Sequence, residues 1–192
     1  MEILGVEKLT NEKWLNLFAA QYRHDGKTGR WVFASRKPDP QANKNSCDAV
    51  LIVPLLHTPE QPPRLVVIKE FRVPVGDYIY SFPAGLLEQG ENIEETVRRE
   101  VLEETGLELV RIKRISTPLY STSGMTDETV AMAFIDVRAG PGLAQSLEGS
   151  EDIEVLLLDF AQMCRLCDAT DARFDAKAWA ALYLYQQLGR FE

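Results

Sequence analysis

The sequence predicts an α+β fold, a mixed β-sheet sandwiched between helices, with an antiparallel β-hairpin appended at the N-terminus. Three observations lead there. Strand-like runs outnumber helix-like ones. The two kinds alternate irregularly, without the regular strand–helix repeat of a parallel sheet. Near the N-terminus, two runs rich in aromatic residues flank a turn with two glycines, which marks a hairpin.

Taken in order, residues 14–22 alternate, with Trp14, Asn16 and Phe18 on one side and Leu15, Leu17 and Ala19 on the other. His24-Asp25-Gly26-Lys27-Thr28-Gly29 is the turn, and residues 31–35 are the returning strand. Residues 37–46 hold two prolines and two asparagines and read as loop. Residues 49–56 are an apolar run interrupted by Pro54, a buried strand and its end. A loop with three prolines is expected at 57–63, then strands at 64–69 and 78–82, before Pro83-Ala84-Gly85 turns the chain. Residues 91–105 predict a helix stopped by Gly106. Strands are expected at 111–117, 129–137 and 153–158, and helices at 160–167 and 176–188. Residues 138–152 carry three glycines, a proline and several acids. A loop of that length is a candidate functional loop.

Composition narrows the function. With 192 residues, 45% hydrophobic and 26% charged, the chain is long and apolar enough for one core without staples. Twenty-one basic against twenty-nine acidic residues give a formal charge of −8, which argues against a nucleic-acid binder with a basic face. No apolar run approaches the roughly 20 residues of a membrane helix, and the N-terminus has no secretion-signal pattern. Three cysteines, Cys47, Cys164 and Cys167, make no disulfide framework and fit a reducing, cytoplasmic compartment. Cys164 and Cys167 form a lone C-x-x-C. Only Cys47, His24 and His57 remain to complete a zinc site, so the pair reads as two small apolar residues in a helix.

The chemistry lies in the helix at 91–105. With Glu100 taken as zero and about 100° per residue, Ile93 falls near ~20°, Glu104 near ~40°, Val97 near ~60° and Val101 near ~100°. Glu103 lies at about −60° and Arg99 at about −100°. Two carboxylates therefore share a side with the apolar stripe, where a solvated charge run would not place them. Like charges at i and i+4 repel, and burial adds a loss of hydration. A divalent cation resolves both penalties, and Mg²⁺ favours hard carboxylate oxygens. Glu103 is close enough to join, and Arg98 or Arg99 could hold a carboxylate in place. Carboxylate spacing alone fits an acidic amphipathic helix equally well. Gly85 and Gly90 add a bent loop ahead of the helix, which can bring a backbone carbonyl toward the same cation.

Gly85, five residues, Glu91, seven residues, Arg99-Glu100-Val101, one residue, Glu103-Glu104, one residue, Gly106-Leu107: this pattern resembles the Nudix box at every fixed position over 23 residues. The resemblance implies the Nudix fold and hydrolysis of nucleoside diphosphates linked to another moiety, with Mg²⁺ or Mn²⁺. By position, Glu100, Glu103 and Glu104 would be metal carboxylates and the carbonyl of Ala84 a further ligand. Glu91 and Arg99 would form a salt bridge that orients the helix.

Beyond the box, the chain resembles the ADP-sugar pyrophosphatase branch. Phe71-Arg72-Val73-Pro74 and Phe82-Pro83-Ala84-Gly85 are similar to it, as are Glu12-Lys13-Trp14 and Gly26-Lys27-Thr28-Gly29-Arg30-Trp31 followed by Arg36. The resemblance implies a dimerisation and base-binding appendage at 1–46, exchanged across a homodimer, and a hydrolase domain at 47–192. Trp14 and Trp31, one from each subunit, would sandwich the adenine. An indole face stacks on any base; hairpin core or dimer interface is the other use for such residues. Arg72 suits a diphosphate oxygen. Arg36 suits a base edge or phosphate, or a surface ion pair. Glu151, with Glu148 as its understudy, matches an acidic loop residue that binds metal or activates water, though such a loop is also often only solvated. One departure stands out: Ser123 occupies the place where ADP-ribose-preferring members carry proline.

The function expected is Mg²⁺-dependent hydrolysis of ADP-ribose to AMP and ribose 5-phosphate, with Glu103, Glu104 and Glu151 as the catalytic carboxylates. GDP-mannose or another sugar nucleotide is the alternative within the class. A non-catalytic nucleotide-sensing domain is the alternative outside it, but such domains typically lose box glutamates, and all are present here. No nucleic acid and no membrane is expected as partner.

Overall fold

The computed structural model describes residues 1–42, 46–140, 144–147, 149 and 151–191. The described elements are β1 (Glu2–Lys8), β2 (Asn16–His24), β3 (Lys27–Ser35), β4 (Ala49–Thr58), β5 (Gln61–Arg72), β6 (Asp77–Ser81), β7 (Ala84–Leu86), α1 (Ile93–Thr105), β8 (Leu107–Ile115), β9 (Leu119–Tyr120), β10 (Thr129–Ala139), β11 (Ile153–Leu158), α2 (Phe160–Cys167) and α3 (Ala176–Leu188). They form two compact units: Met1–Ala49 with Pro118–Val130, and Val50–Thr117 with Ala131–Glu192.

In the first unit, β1, β2 and β3 make an antiparallel sheet in that order. The β2–β3 turn is tighter than the six-residue turn expected. His24 pairs with Lys27, and only Asp25 and Gly26 lie between, both at positive φ (48° and 76°). Two such residues match the right-handed twist of the strands they join. The strand expected from residue 14 begins at Asn16. There the Asn16 side chain accepts the Glu12 N–H (2.7 Å) and donates to the Glu12 carbonyl (2.8 Å), closing a turn that leaves Trp14 ahead of the strand. Phe18 stacks on Phe33 at 5.9 Å, and Phe18 and Ala19 are buried. β1 is an addition that the sequence pattern did not announce. It is exposed along nearly its whole length, so it carries no buried-face alternation.

The second unit is built on a sheet ordered β11-β5-β4-β10-β8, with β6 on β5 and β7 on β4. Its central strands read as near-continuous apolar runs because both faces are covered. Val50, Ile52, Val66, Ile68, Ala131, Ile135 and Val137 are buried, together with Val97 and Val101 of α1. The proline-rich stretch expected as a loop at 57–63 is a hairpin instead: Thr58 pairs with Gln61, and Pro62 and Pro63 sit at the start of β5. At a strand's first residues a missing N–H is tolerated. Asp136 on β10 is buried and bonded from both neighbouring strands, to His57 Nε2 (2.8 Å) and Arg111 Nε (2.5 Å).

Helix α1 packs against β7, β8 and β11. Asn92 caps it in a full capping box: its side chain accepts the Glu95 N–H, and its own N–H donates to Glu95 (2.9 Å). The helix therefore starts at Ile93, two residues later than the spacing predicted, and Glu91 stands outside it. Gly106, at φ 68°, ends it in the left-handed conformation. No described helix is long and apolar enough to cross a membrane.

Candidate active site

The inner face of α1 carries Val97, Val101 and, on the same side, Glu100 and Glu104, all buried. Each carboxylate is received by the strand beneath. The Ala84 N–H donates to Glu104 Oε2 at 3.1 Å. Gly85, the next residue, lies directly against Glu100, so that a Cβ there would collide with Oε1 and Cδ. Any side chain at 85 would thus displace the Glu100 carboxylate.

Arg99 organises the outer side. It pairs with Glu91 through both arms, Nε–Oε1 at 2.9 Å and Nη2–Oε2 at 3.0 Å. Its Nη1 reaches Glu100 Oε1 (2.7 Å) and Glu103 Oε2 (3.2 Å), and Nη2 also donates to the Leu86 carbonyl (3.2 Å). One guanidinium thus holds three carboxylates and ties the helix to β7. Glu91 is held down at about 2, chiefly by Arg99, with the Glu88 N–H and Thr96 hydroxyl adding to it. Arg98 faces outward, 3.7 Å from Glu94.

Two further carboxylates come from the sheet. β11 pairs antiparallel with β5, Ile153 opposite Glu70, and the Phe71 N–H donates to the Asp152 carbonyl at 3.1 Å. That extra rung carries the pairing one residue past β11, to Asp152 beside Phe71, with Glu151 the next residue along the chain. Side chains two apart on a strand share a face. Glu70 and Arg72 do so, and Arg72 Nη1 lies 2.9 Å from Glu70 Oε1. Glu148 lies outside the described residues.

The electrostatics record the convergence. Burial raises Glu70, Arg72 opposes the rise, and Glu151 adds to it. Burial raises Glu100 against its bonds to Arg99, with Glu103 and Glu151 contributing. Glu104 is pushed up to about 9 by burial and by the charge of Glu100, with Glu70 and Glu151 adding and the Ala84 N–H opposing. Four carboxylates, Glu70, Glu100, Glu104 and Glu151, therefore feel one another. A cavity of about 630 Å³ beside α3, lined by Arg114, Phe134, Leu184, Leu188, Arg190 and Phe191, takes in none of them.

In the first unit, Trp31 is fixed by its indole N–H, which donates to the Gly124 carbonyl at 3.1 Å. Its ring borders a cavity of about 400 Å³ with Ile3, Tyr22, Phe33 and Ser123. Trp14 is 68% exposed, with Lys13 Nζ 4.2 Å above its ring. Arg36 pairs with Glu128 at 3.1 Å.

Comparison with known families matches residues 46–183 to the NUDIX domain. The chain belongs to the Nudix family. Among relatives of this Nudix hydrolase, the ADP-sugar pyrophosphatase of Mus musculus is 28% identical over 188 residues, covering 95% of this chain and 84% of that protein. The ADP-ribose pyrophosphatase of Bacillus subtilis (strain 168) is 32% identical over 122 residues, covering 63% of this chain and 65% of that one. A crystal structure of an ADP compounds hydrolase superposes with a TM-score of 0.69 at 23% identity, covering 97% of this chain and 92% of that one; this likeness carries the fold.

The donor set of this Nudix hydrolase fits a hard divalent cation. Its oxygens are carboxylates that repel one another and have lost hydration, the situation a dication relieves. Among the described residues no three acidic, histidine or cysteine side chains are already arranged as a metal cage. Arg99 occupies Glu100 and Glu103, and the Ala84 amide occupies Glu104. Glu70 is the residue the sequence reading missed. It stands two residues past the apolar run at 65–68, and the available signal was its spacing of two from Arg72.

Proposed function

We propose that this Nudix hydrolase cleaves the diphosphate bond of ADP-ribose, giving AMP and ribose 5-phosphate, with Mg²⁺ as its metal and Mn²⁺ able to substitute. The observation that carries the reading is the burial of Glu100 and Glu104 side by side on the inner face of α1, where burial first, and the charges of Glu100, Glu70 and Glu151 after it, push Glu104 up to about 9. The homologues named ADP-ribose and ADP-sugar pyrophosphatases support the substrate class.

The cation would be held by Glu100, Glu103, Glu104 and Glu151 and by the Ala84 carbonyl. When bound, it supplies neutralisation of the diphosphate and acidification of water. The remaining work falls to the chain. Arg72 presents its fork to a diphosphate oxygen. Glu151, next to the Phe71–Asp152 rung, orients the attacking water and accepts its proton. Glu103 and Glu104 complete the catalytic carboxylates. Arg99, clamped by Glu91, sets the height of the helix against β7. Trp14 and Trp31 stack the base, each from a different subunit of a homodimer with exchanged N-terminal hairpins, and Arg36 reads the base edge or a phosphate. The protein works in the cytoplasm.

The test is a substrate panel of ADP-ribose, GDP-mannose and UDP-glucose with Mg²⁺, Mn²⁺ or EDTA, products identified by chromatography, and sedimentation of the intact protein. Turnover of ADP-ribose ahead of the others, with Mg²⁺, by a dimer is expected. Preference for GDP-mannose, which Ser123 in the proline position would accompany, overturns the substrate. Lack of turnover with either metal overturns the reaction.

A further inference from the structure

We infer that Glu70 is the positioning residue for Arg72, fixing the guanidinium that engages the diphosphate and keeping it off Glu151. The inference rests on the proposed role of Arg72 and goes beyond it.

The pair is asymmetric. The Glu70 side chain is only 10% exposed, whereas that of Arg72 is 47% exposed. An exposed pair of long side chains contributes little and constrains neither partner. Here one partner is locked in the sheet, and a buried carboxylate requires a compensating charge. Burial disfavours the Glu70 charge and Glu151 bears on it with like charge, and the Arg72 guanidinium opposes both. In return Glu70 fixes where one nitrogen of the fork sits, at 2.9 Å. The outward part of the guanidinium is left to a ligand.

The strand register explains why the anchor is needed. Glu70 and Arg72 share a face of β5, and the Phe71–Asp152 rung brings the chain at Glu151 alongside this end of the strand. Without Glu70, the opposite charge across that rung draws the guanidinium to Glu151. Such a collapse removes a phosphate contact and occupies a carboxylate at once. Glu70 is thus a third member of the Arg72–Glu151 arrangement, and it touches neither substrate nor reacting atom.

The test is a double-mutant cycle on the full chain. Glu70→Gln and Glu70→Asp are each combined with Arg72→Ala. Affinity for inorganic pyrophosphate with Mg²⁺ is measured by calorimetry, alongside kcat and KM for ADP-ribose and the half-saturating Mg²⁺ concentration. Both Glu70 variants are expected to weaken pyrophosphate and raise KM about tenfold, the scale of a lost outer-shell support. In the Arg72→Ala background the same changes should have no further effect, and the Mg²⁺ requirement should not move. Equal losses with and without Arg72 overturn the inference. So does a Mg²⁺ requirement that rises in the Arg72→Ala background, which would make Glu70 a ligand. Either variant alone decides the matter if the other fails to melt cooperatively. Coupling in pyrophosphate affinity without turnover of any sugar nucleotide would sustain the inference and defeat the proposed function.

Discussion

Gly85 lies against the carboxylate of Glu100, with no room between them for a methyl group. The neighbour that must give way is the far end of a flexible side chain, so the fold can absorb the change. The site cannot, because that side chain is a proposed cation ligand. Gly85→Ala is expected to leave thermal stability within about 1 kcal/mol while raising the half-saturating Mg²⁺ concentration about 10–100-fold. A titration of activity against Mg²⁺, read beside a melting curve, checks both halves. A large loss of stability with an unchanged Mg²⁺ requirement would refute the assignment.

Glu104 gives a prediction whose sign depends on the cation. Its carboxyl is raised from the ordinary 4.5 to about 9 in the folded, cation-free protein. The fold then favours the protonated form, so stability is lost as pH rises from 4.5 through about 9. Glutamine imitates the protonated acid. Without cation, Glu104→Gln should melt above the parent, by a margin that opens across that interval. With Mg²⁺, kcat should fall by several orders of magnitude. Melting curves in EDTA from pH 4 to 9 are the measurement; a variant less stable than the parent throughout would contradict the burial argument.

Glu91 behaves in the opposite sense. Arg99 depresses its carboxyl from 4.5 to about 2. The stabilisation is present above 4.5 and is lost as pH falls through about 2. Glu91→Gln should therefore melt below the parent at neutral pH, and the two curves should merge as the solution is acidified across that range. Parallel curves down to pH 2 would show that the Arg99 pair contributes no charge-dependent stability.

Trp31 separates binding from chemistry. Its indole is fixed to Gly124 and faces a cavity. Base stacking contributes about 1–3 kcal/mol. Trp31→Ala should raise KM for ADP-ribose by the corresponding factor and leave kcat nearly unchanged, whereas Trp31→Phe should retain most of the affinity. An unchanged KM for both would remove Trp31 from the base site.

Local signals carried much of this in the sequence. The ends of β11, α2 and α3 fall where period and punctuation place them, because each is an isolated apolar run with clear caps. The 3.6-residue period put Glu100 and Glu104 on the apolar side of α1, and Gly85 and Gly90 ahead of the helix weighed against a merely solvated face. Long-range signals did not show. The β5–β11 pairing brings the chain near Glu151 beside β5, and Glu70 matters because the fold buries it under Arg72; neither appears in a single segment. Proline misled at 57–63, since loss of a donor is as compatible with the first residues of a strand as with a loop. β1 stayed hidden because an exposed edge strand buries too little to pattern.

The reach of Arg99 to Glu91, Glu100 and Glu103 means that the helix carries its own resident counterion. Chelation therefore leaves Glu91, Glu100 and Glu103 still paired with a cation, and the repulsion that remains falls on Glu104. The protein stripped of metal should stay folded in storage, and replenishing the ion should restore it without any refolding step.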